Sequence, residues 1–163
     1  MDDETRALLD VLVADAREST ADIARQTGLS ADEVDARLDE LEAAGVLRGY
    51  TAVVDWDSTD ADRVAAVVEV NVELDRETDY EDIARRIAES PTVDSLRLVS
   101  GDYDFALDVS ADTMQAVSRF VADEVAPLPA VTKTVTHYVM ETYKERGVVF
   151  DERDDDDRLS VTP

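Results

Sequence analysis

TADIARQTGLSADEVDARLDELEAAGVLRGYTAVVD, residues 20–55, punctuates itself into a short helix, a glycine turn, a longer amphipathic helix and a β-prone end. Ser19 or Thr20 stands where a helix cap is needed, Ile23 and Ala24 form an apolar face, and Gly28 stops the helix because glycine tolerates the left-handed conformation. Leu29 bridges to the second helix. Ser30 opens it, and Glu33 follows in the S-x-x-E spacing that satisfies two orphan backbone donors reciprocally. Val34, Leu38 and Leu41 repeat at i, i+4 and i+7, one apolar stripe on a helix that ends near Ala44 with Gly45 as its stop. Residues 46–47 and 51–55 are short β-prone runs around Arg48, Gly49 and Tyr50, the composition of a hairpin tip. Upstream, Leu8, Leu9, Leu12 and Val13 supply a first helix to cover the pair. The order is that of a winged helix-turn-helix, which predicts a reader of double-stranded DNA. A three-helix packing module with no ligand is the alternative, because the same geometry is also used structurally.

Charge complicates that reading. Asp and Glu number 40 against 16 Lys and Arg, a formal charge of −24, whereas a protein that binds phosphates brings positive charge to them. The expected reading helix holds Asp32, Glu33, Asp35, Asp39 and Glu40 against the single Arg37. Two accounts compete. In one, the acids are a whole-surface adaptation to a cytoplasm rich in potassium salt, where charges are screened within about 3 Å at molar strength and carboxylates keep the protein soluble. In the other, the acids are local and the module has become a partner-binding domain without DNA. The first is favoured: acids occupy every segment, Lys133 and Lys144 are the only lysines, and arginine supplies the other fourteen cations.

Other classes recede on composition. The chain has no cysteine, which excludes disulfides, iron–sulfur clusters and thiolate zinc sites. No apolar run approaches the roughly 20 residues of a membrane span, and the acidic N-terminus lacks a signal peptide's basic and apolar regions, so a cytoplasmic protein without membrane association is expected. His137 is the only histidine and lies in a β-prone run, where a structural or interfacial role outweighs catalysis. No glycine-rich phosphate loop occurs. Asp154, Asp155, Asp156 and Asp157 form an acid run that reads as a solvated tail rather than a metal site. No catalytic residue, metal site or cofactor is expected.

The second half has its own order. The polar stretch after Trp56 reads as a boundary, with Trp56 itself a packing anchor rather than a stacking platform. In residues 64–74, Val68, Val70, Val72 and Leu74 alternate with Glu69, Asn71 and Glu73, a strand with one wet face. A helix over 79–89, strands over 93–100 and 103–110, a helix over 111–125 and a strand over 131–143 complete a βαββαβ pattern. This predicts an α+β chain in four parts: a winged helix-turn-helix over 1–56, a linker over 57–63, a ferredoxin-like domain over 64–146 and an acidic tail over 147–163. The open face of the sheet, expected to carry apolar residues, is expected to pair with a second copy as a two-fold dimer.

Two motifs then resemble one known family. Leu41-Glu42-Ala43-Ala44-Gly45-Val46-Leu47-Arg48-Gly49-Tyr50-Thr51-Ala52-Val53 is similar to the LEexGvIxgYxAvl signature of Lrp/AsnC (leucine-responsive/asparagine) regulators. Val99-Ser100-Gly101-Asp102-Tyr103-Asp104-Phe105 and Leu128-Pro129-Ala130-Val131-Thr132-Lys133-Thr134-Val135-Thr136 resemble that family's sensing domain. The resemblance implies a transcription regulator of dimers and larger discs, with a small molecule, typically an amino acid, bound at dimer–dimer contacts. Its effector site would be lined by Gly101, Asp102, Tyr103, Asp104, Thr134 and Thr136, with glycine-turn amides meeting a carboxylate and an aspartate meeting an ammonium. Its DNA contacts would come from Thr20, Arg25, Ser30, Arg37, Arg48 and Tyr50. Haem-pathway decarboxylases share the two-domain architecture, but residues 100–105 follow the regulator pattern. Two departures stand out: the first half of the reading helix is poor in basic residues, and Ala130 occupies a position where the family has glycine.

Overall fold

Each helix of the N-terminal half begins where a side-chain oxygen can satisfy its first free amides. In the computed structural model, which describes residues 1–75 and 79–150, Asp2 caps α1 (Asp3–Ala14) by accepting from the Thr5 amide, and Ser19 caps α2 (Thr20–Thr27) by accepting from the Asp22 amide. Ser30 caps α3 (Ala31–Ala43) through the expected reciprocal box: its hydroxyl accepts from the Glu33 amide, and the Glu33 carboxylate accepts from the Ser30 amide at 2.8 Å. Gly28 and Gly45 adopt φ of +79° and +67°, the left-handed conformation that lets the chain leave α2 and α3 sharply. The three helices share a core of Leu8, Leu12, Ile23 and Val34, flanked by Val11, Leu29, Leu38, Leu41 and Leu47. Val13, expected to join it, is instead 82% exposed.

The β-ribbon expected over residues 46–55 is not formed. The Val46 and Leu47 amides both turn back to donate to the Leu41 carbonyl, at 2.9 and 3.1 Å, and residues 48–55 continue without strand structure. An amide that closes a helix is unavailable to a ladder, and so short a two-stranded ribbon has little stability alone.

In the second unit, alternation drives the fold. Strands β1 (Val64–Val72), β2 (Val93–Leu98), β3 (Phe105–Ala111) and β4 (Val131–Tyr138) form one antiparallel sheet in the order β2-β3-β1-β4. Helices α4 (Tyr80–Ala88) and α5 (Met114–Phe120) separate them in chain order, giving the expected βαββαβ ferredoxin-like plait. The register sets Val68 opposite Leu107 and Thr136, and Val70 opposite Phe105 and Thr134. Directly opposed residues point to one side, so the row that includes Ala66, Val68, Val70, Phe105, Leu107 and Val109 meets Ile83 and Ile87 of α4 and Val117 and Phe120 of α5.

α5 is shorter than the expected 111–125. Ala111 still belongs to β3, and Thr113 caps the helix by accepting from the Ala116 amide. Past Phe120 the backbone widens into a π-type turn over Val121–Val125, closed by the Ala126 amide on the Val121 carbonyl at 2.8 Å. Pro127 follows and has no amide with which to continue. Ala130 needs no glycine: its φ is negative and its carbonyl accepts from the Glu73 amide at 2.8 Å.

The open face of the sheet differs from the expected apolar surface. Val67, Ala106 and Val135 are interleaved with a His137–Glu69 pair at 3.3 Å and with Asp108, which accepts from Arg97 at 2.9 Å and from the Ser95 hydroxyl. Trp56, expected as a packing anchor, is 42% exposed in a short 3-10 turn (Trp56–Ser58), with the Arg63 guanidinium 4.7 Å from its ring centre.

A ribbon does occur near the end of the described chain. β5 (Lys144–Glu145) pairs antiparallel with β6 (Val148–Val149), and Lys144–Val149 forms one compact unit with Met1–Val54, while Asp55–Tyr143 belongs to the other. This differs from the boundaries read from sequence, which split the ribbon between the sheet domain and the tail. Residues 151–163 of that tail, including Asp154, Asp155, Asp156 and Asp157, lie outside the described residues.

Leu107 is fully buried at the centre of the sheet core. Leu107→Ala is expected to destabilise the sheet unit by about 2–5 kcal/mol, read as a lowered urea midpoint with an unchanged slope; a shift below about 0.5 kcal/mol would contradict the packing.

Candidate functional site

The residues expected to contact DNA and effector fall in two sets, one in each unit. On the helix-turn-helix, the expected DNA contacts divide by what already holds them. The Thr20 hydroxyl donates to Asp35 at 3.0 Å, tying α2 to α3. The Ser30 hydroxyl belongs to the capping box, donating to Glu33 at 2.7 Å. Arg25 is exposed and pairs with Asp22 at 2.8 Å, a link within its own helix. Tyr50 donates to Glu42 at 3.0 Å, and partial desolvation followed by that carboxylate raises its pKa. Arg48 is exposed and has no ion pair among the described residues.

Arg37, also expected to contact DNA, is engaged within its own unit. Its guanidinium reaches back to α1, donating to Asp2 at 3.0 Å, to the Thr5 hydroxyl at 2.7 Å and to Glu4, with its side chain only 24% exposed. It is a clamp between helices rather than a group held out to a ligand. The exposed side of α3 therefore presents Asp32, Asp35, Asp39 and Glu40. Sequence reading missed Asp2 and Thr5 as partners, although Asp2 stands three residues before Thr5 in a capping position.

In the sheet unit, residues 101–104 form the connection from β2 to β3. Gly101 adopts φ +140°, a conformation that favours glycine. The Asp102 carbonyl accepts from the Asn71 side-chain amide at 2.8 Å, while its carboxylate is exposed with no partner among the described residues. Asp104 positions the loop: its carboxylate accepts from the Val72 amide at 2.9 Å and from the Tyr80 hydroxyl at 3.2 Å, and its own amide donates to the Val70 carbonyl at 3.0 Å. The hydrogen bond to Asp104, and then its charge, raises the pKa of Tyr80, whose ring also meets Phe105 edge-on at 5.8 Å. Thr134 and Thr136, half-buried on β4, stand opposite Val70 and Val68 and so on the helix-covered side of the sheet. The contacts around residues 101–104 thus run to β1 and α4, and Thr134 is reached only across β1. Asn71 and Tyr80 were not singled out in the sequence; Tyr80 directly follows the helix cap Asp79, the one signal available.

A capped helix-turn-helix and a ferredoxin-like sensing fold in one chain define a transcriptional regulator with a ligand-binding domain. Residues 1–42 match the AsnC-type helix-turn-helix domain, and residues 65–149 match the Lrp/AsnC ligand binding domain. The chain is 34% identical over 157 residues to the uncharacterized HTH-type transcriptional regulator YugG of Bacillus subtilis, covering 96% of this chain and 95% of that one. It is 29% identical over 140 residues to the leucine-responsive regulatory protein of Escherichia coli, covering 86% and 85%. Among solved structures, a Neisseria meningitidis transcriptional regulator in complex with L-Met superposes with a TM-score of 0.69 at 26% identity, covering 89% and 93% of the two chains. The leucine response regulatory protein of Mycobacterium tuberculosis superposes with a TM-score of 0.74 at 25% identity, covering 90% and 97%. The chain belongs to the Lrp/AsnC family of transcriptional regulators.

The Asp2 carboxyl lies far below the ordinary carboxylate range because it accepts from the Thr5 amide, the Thr5 hydroxyl and Arg37; Glu33 is lowered chiefly by the Ser30 amide. Groups lowered by folding contribute stability in full above their unfolded pKa of about 4 and lose it as pH falls through the folded value. The helical unit is therefore expected to weaken progressively below about pH 4, and Asp2→Asn to flatten that dependence. An acid unfolding profile identical for both proteins would contradict the clamp.

Proposed function

We propose that this chain is a DNA-binding transcriptional regulator whose promoter occupancy responds to a small molecule of the amino-acid class. The observation that carries the reading is the pairing, in one chain, of a fully capped helix-turn-helix with a sheet whose 101–104 loop is braced from below while Gly101 and Asp102 stay exposed. The chemistry of that loop suits an amino acid: backbone amides for its carboxylate and the Asp102 carboxylate for its ammonium. The L-Met complex of the Neisseria relative supports the same ligand class. Tyr103, Thr134 and Thr136 complete the proposed polar shell, with Asp104 acting as its brace.

For DNA, the proposed contacts are Arg48, Tyr50 and Arg25, joined by Thr20 and Ser30 at the helix starts. Dimers would set two reading helices into successive major grooves, and effector binding would shift assembly and hence the number of sites engaged together. Among the described residues no helix is long and apolar enough to cross a membrane, and a cytoplasmic setting rich in potassium salt accounts for a net charge of −24. A second reading, a sensor that binds no DNA, is favoured by one observation: the exposed side of α3 is acidic and its sole arginine is bound to α1.

Binding of the protein to its own upstream DNA, titrated in potassium chloride with a random fragment as control, separates the two. A specific complex that survives near-native salt is expected. No specific complex at any salt, with amino-acid binding intact, establishes the second reading. At the sensing loop, Asp102→Ala and Thr134→Ala are each expected to weaken effector affinity tenfold or more while sparing dimers. Unchanged calorimetric affinity in both variants removes the site assignment.

A further inference from the structure

The ribbon Lys144–Val149 is an unexpected member of the helix-turn-helix unit. Its two strands are only two residues each, with Lys144 opposite Val149 and Glu145 opposite Val148. The connecting residues Arg146 and Gly147 both take positive φ, 47° and 90°, the hand that matches the twist of a tight hairpin. Such turns favour Asn, Asp or Gly at the first central position. Here it is an arginine, the only non-glycine residue of positive φ among the described residues, held in a conformation that costs a β-carbon energy. The strain places a guanidinium at the exposed tip of the ribbon.

Charge gives that placement its direction. Within this unit Arg25 and Arg37 are engaged by Asp22 and by Asp2 with Glu4. Lys144 is exposed with no ion pair among the described residues, and Arg146 meets only its neighbour Glu145, at 3.5 Å with both side chains more than half exposed. An exposed pair of that kind is weakly held. Two cations against one acid make the ribbon net positive, whereas residues 1–54 carry thirteen acids and five arginines. In a helix-turn-helix protein, a β-ribbon bearing cations in the same compact unit as the helices is suited to the phosphate backbone, which fixes register without reading bases.

We infer that the ribbon Lys144–Val149 is the wing of this helix-turn-helix, and that Lys144 and Arg146 contact DNA phosphates. The inference rests on the DNA-binding reading above. It replaces the wing expected at residues 46–55, of which the Val46 and Leu47 amides instead close α3. Phosphate contacts are indifferent to sequence, so the ribbon acts equally on promoter and random DNA.

The test compares full-length wild type with Lys144→Gln/Arg146→Gln and with Glu145→Gln, each checked for unchanged helical circular dichroism, on promoter and random fragments across potassium chloride. The double variant is expected to lose about tenfold or more on both fragments at low salt, and its log-affinity against log-salt slope to change by about two. Glu145→Gln, which removes an acid from the same ribbon, is expected to bind severalfold tighter. Wild-type binding that neither variant alters overturns the wing and leaves the DNA reading standing. Absence of wild-type binding at every salt overturns both.

Discussion

Mutual repulsion among carboxylates is the constraint that every other feature of this molecule must satisfy. With 40 acids and 16 Lys and Arg on 163 residues, compaction brings like charges together, and the fold answers by giving many of the acids local work. Asp2 and Asp79 cap helices, and Glu33 closes a capping box. Asp22 and Asp82 pair with arginines on their own helices, Asp104 braces a loop, and Asp108 on β3 accepts from both Ser95 and Arg97 of β2. In each case a carboxylate oxygen accepts from an amide, a hydroxyl or a guanidinium, so the acids supply partners to the chain around them.

The same constraint shapes the candidate DNA surface. Arginine is scarce in the helix-turn-helix, and the one on α3 is drawn to the acids at the start of α1 rather than left facing solvent. What remains exposed without an ion pair among the described residues lies at the margins: Arg6 on α1, Arg17 after it, Arg48 after α3 and Lys144 on the ribbon. A reader built this way relies on docking geometry and flanking cations more than on charge along its helix. The sheet unit is organised differently, with a dry face packed by both helices and a wet face whose polar pairs leave Val67, Ala106 and Val135 between them.

Periodicity and capping chemistry are local, and whatever depends on them could be read in advance. Ser30 with Glu33, the stops at Gly28 and Gly45, and the alternation of Phe105, Leu107 and Val109 all specify their elements within a few residues. The pattern is silent where a distant partner decides. Arg37 looks like an outward helix residue until Asp2, thirty-five positions away, claims it. Nothing near Asp104 in the sequence announces that the Val72 amide and Tyr80 are brought beside it. The β-prone run at residues 46–47 could not reveal that its amides would be taken by α3, nor could the Lys144-to-Val149 segment reveal which unit it would join. Long-range competition for hydrogen-bonding groups, rather than propensity, is the physical content missing from a one-dimensional pattern.

Whether the helix-turn-helix reads DNA as a symmetric assembly is the point on which the account stands. Hydroxyl-radical footprinting of the protein on its own upstream DNA, in near-native potassium chloride with and without an amino-acid mixture, addresses it. Protected patches are expected on one face of the duplex, spaced by about 10–10.5 base pairs or a multiple of it, with an extent that changes when effector is added. Uniform cleavage at every protein concentration, by protein that still binds an amino acid, would contradict it.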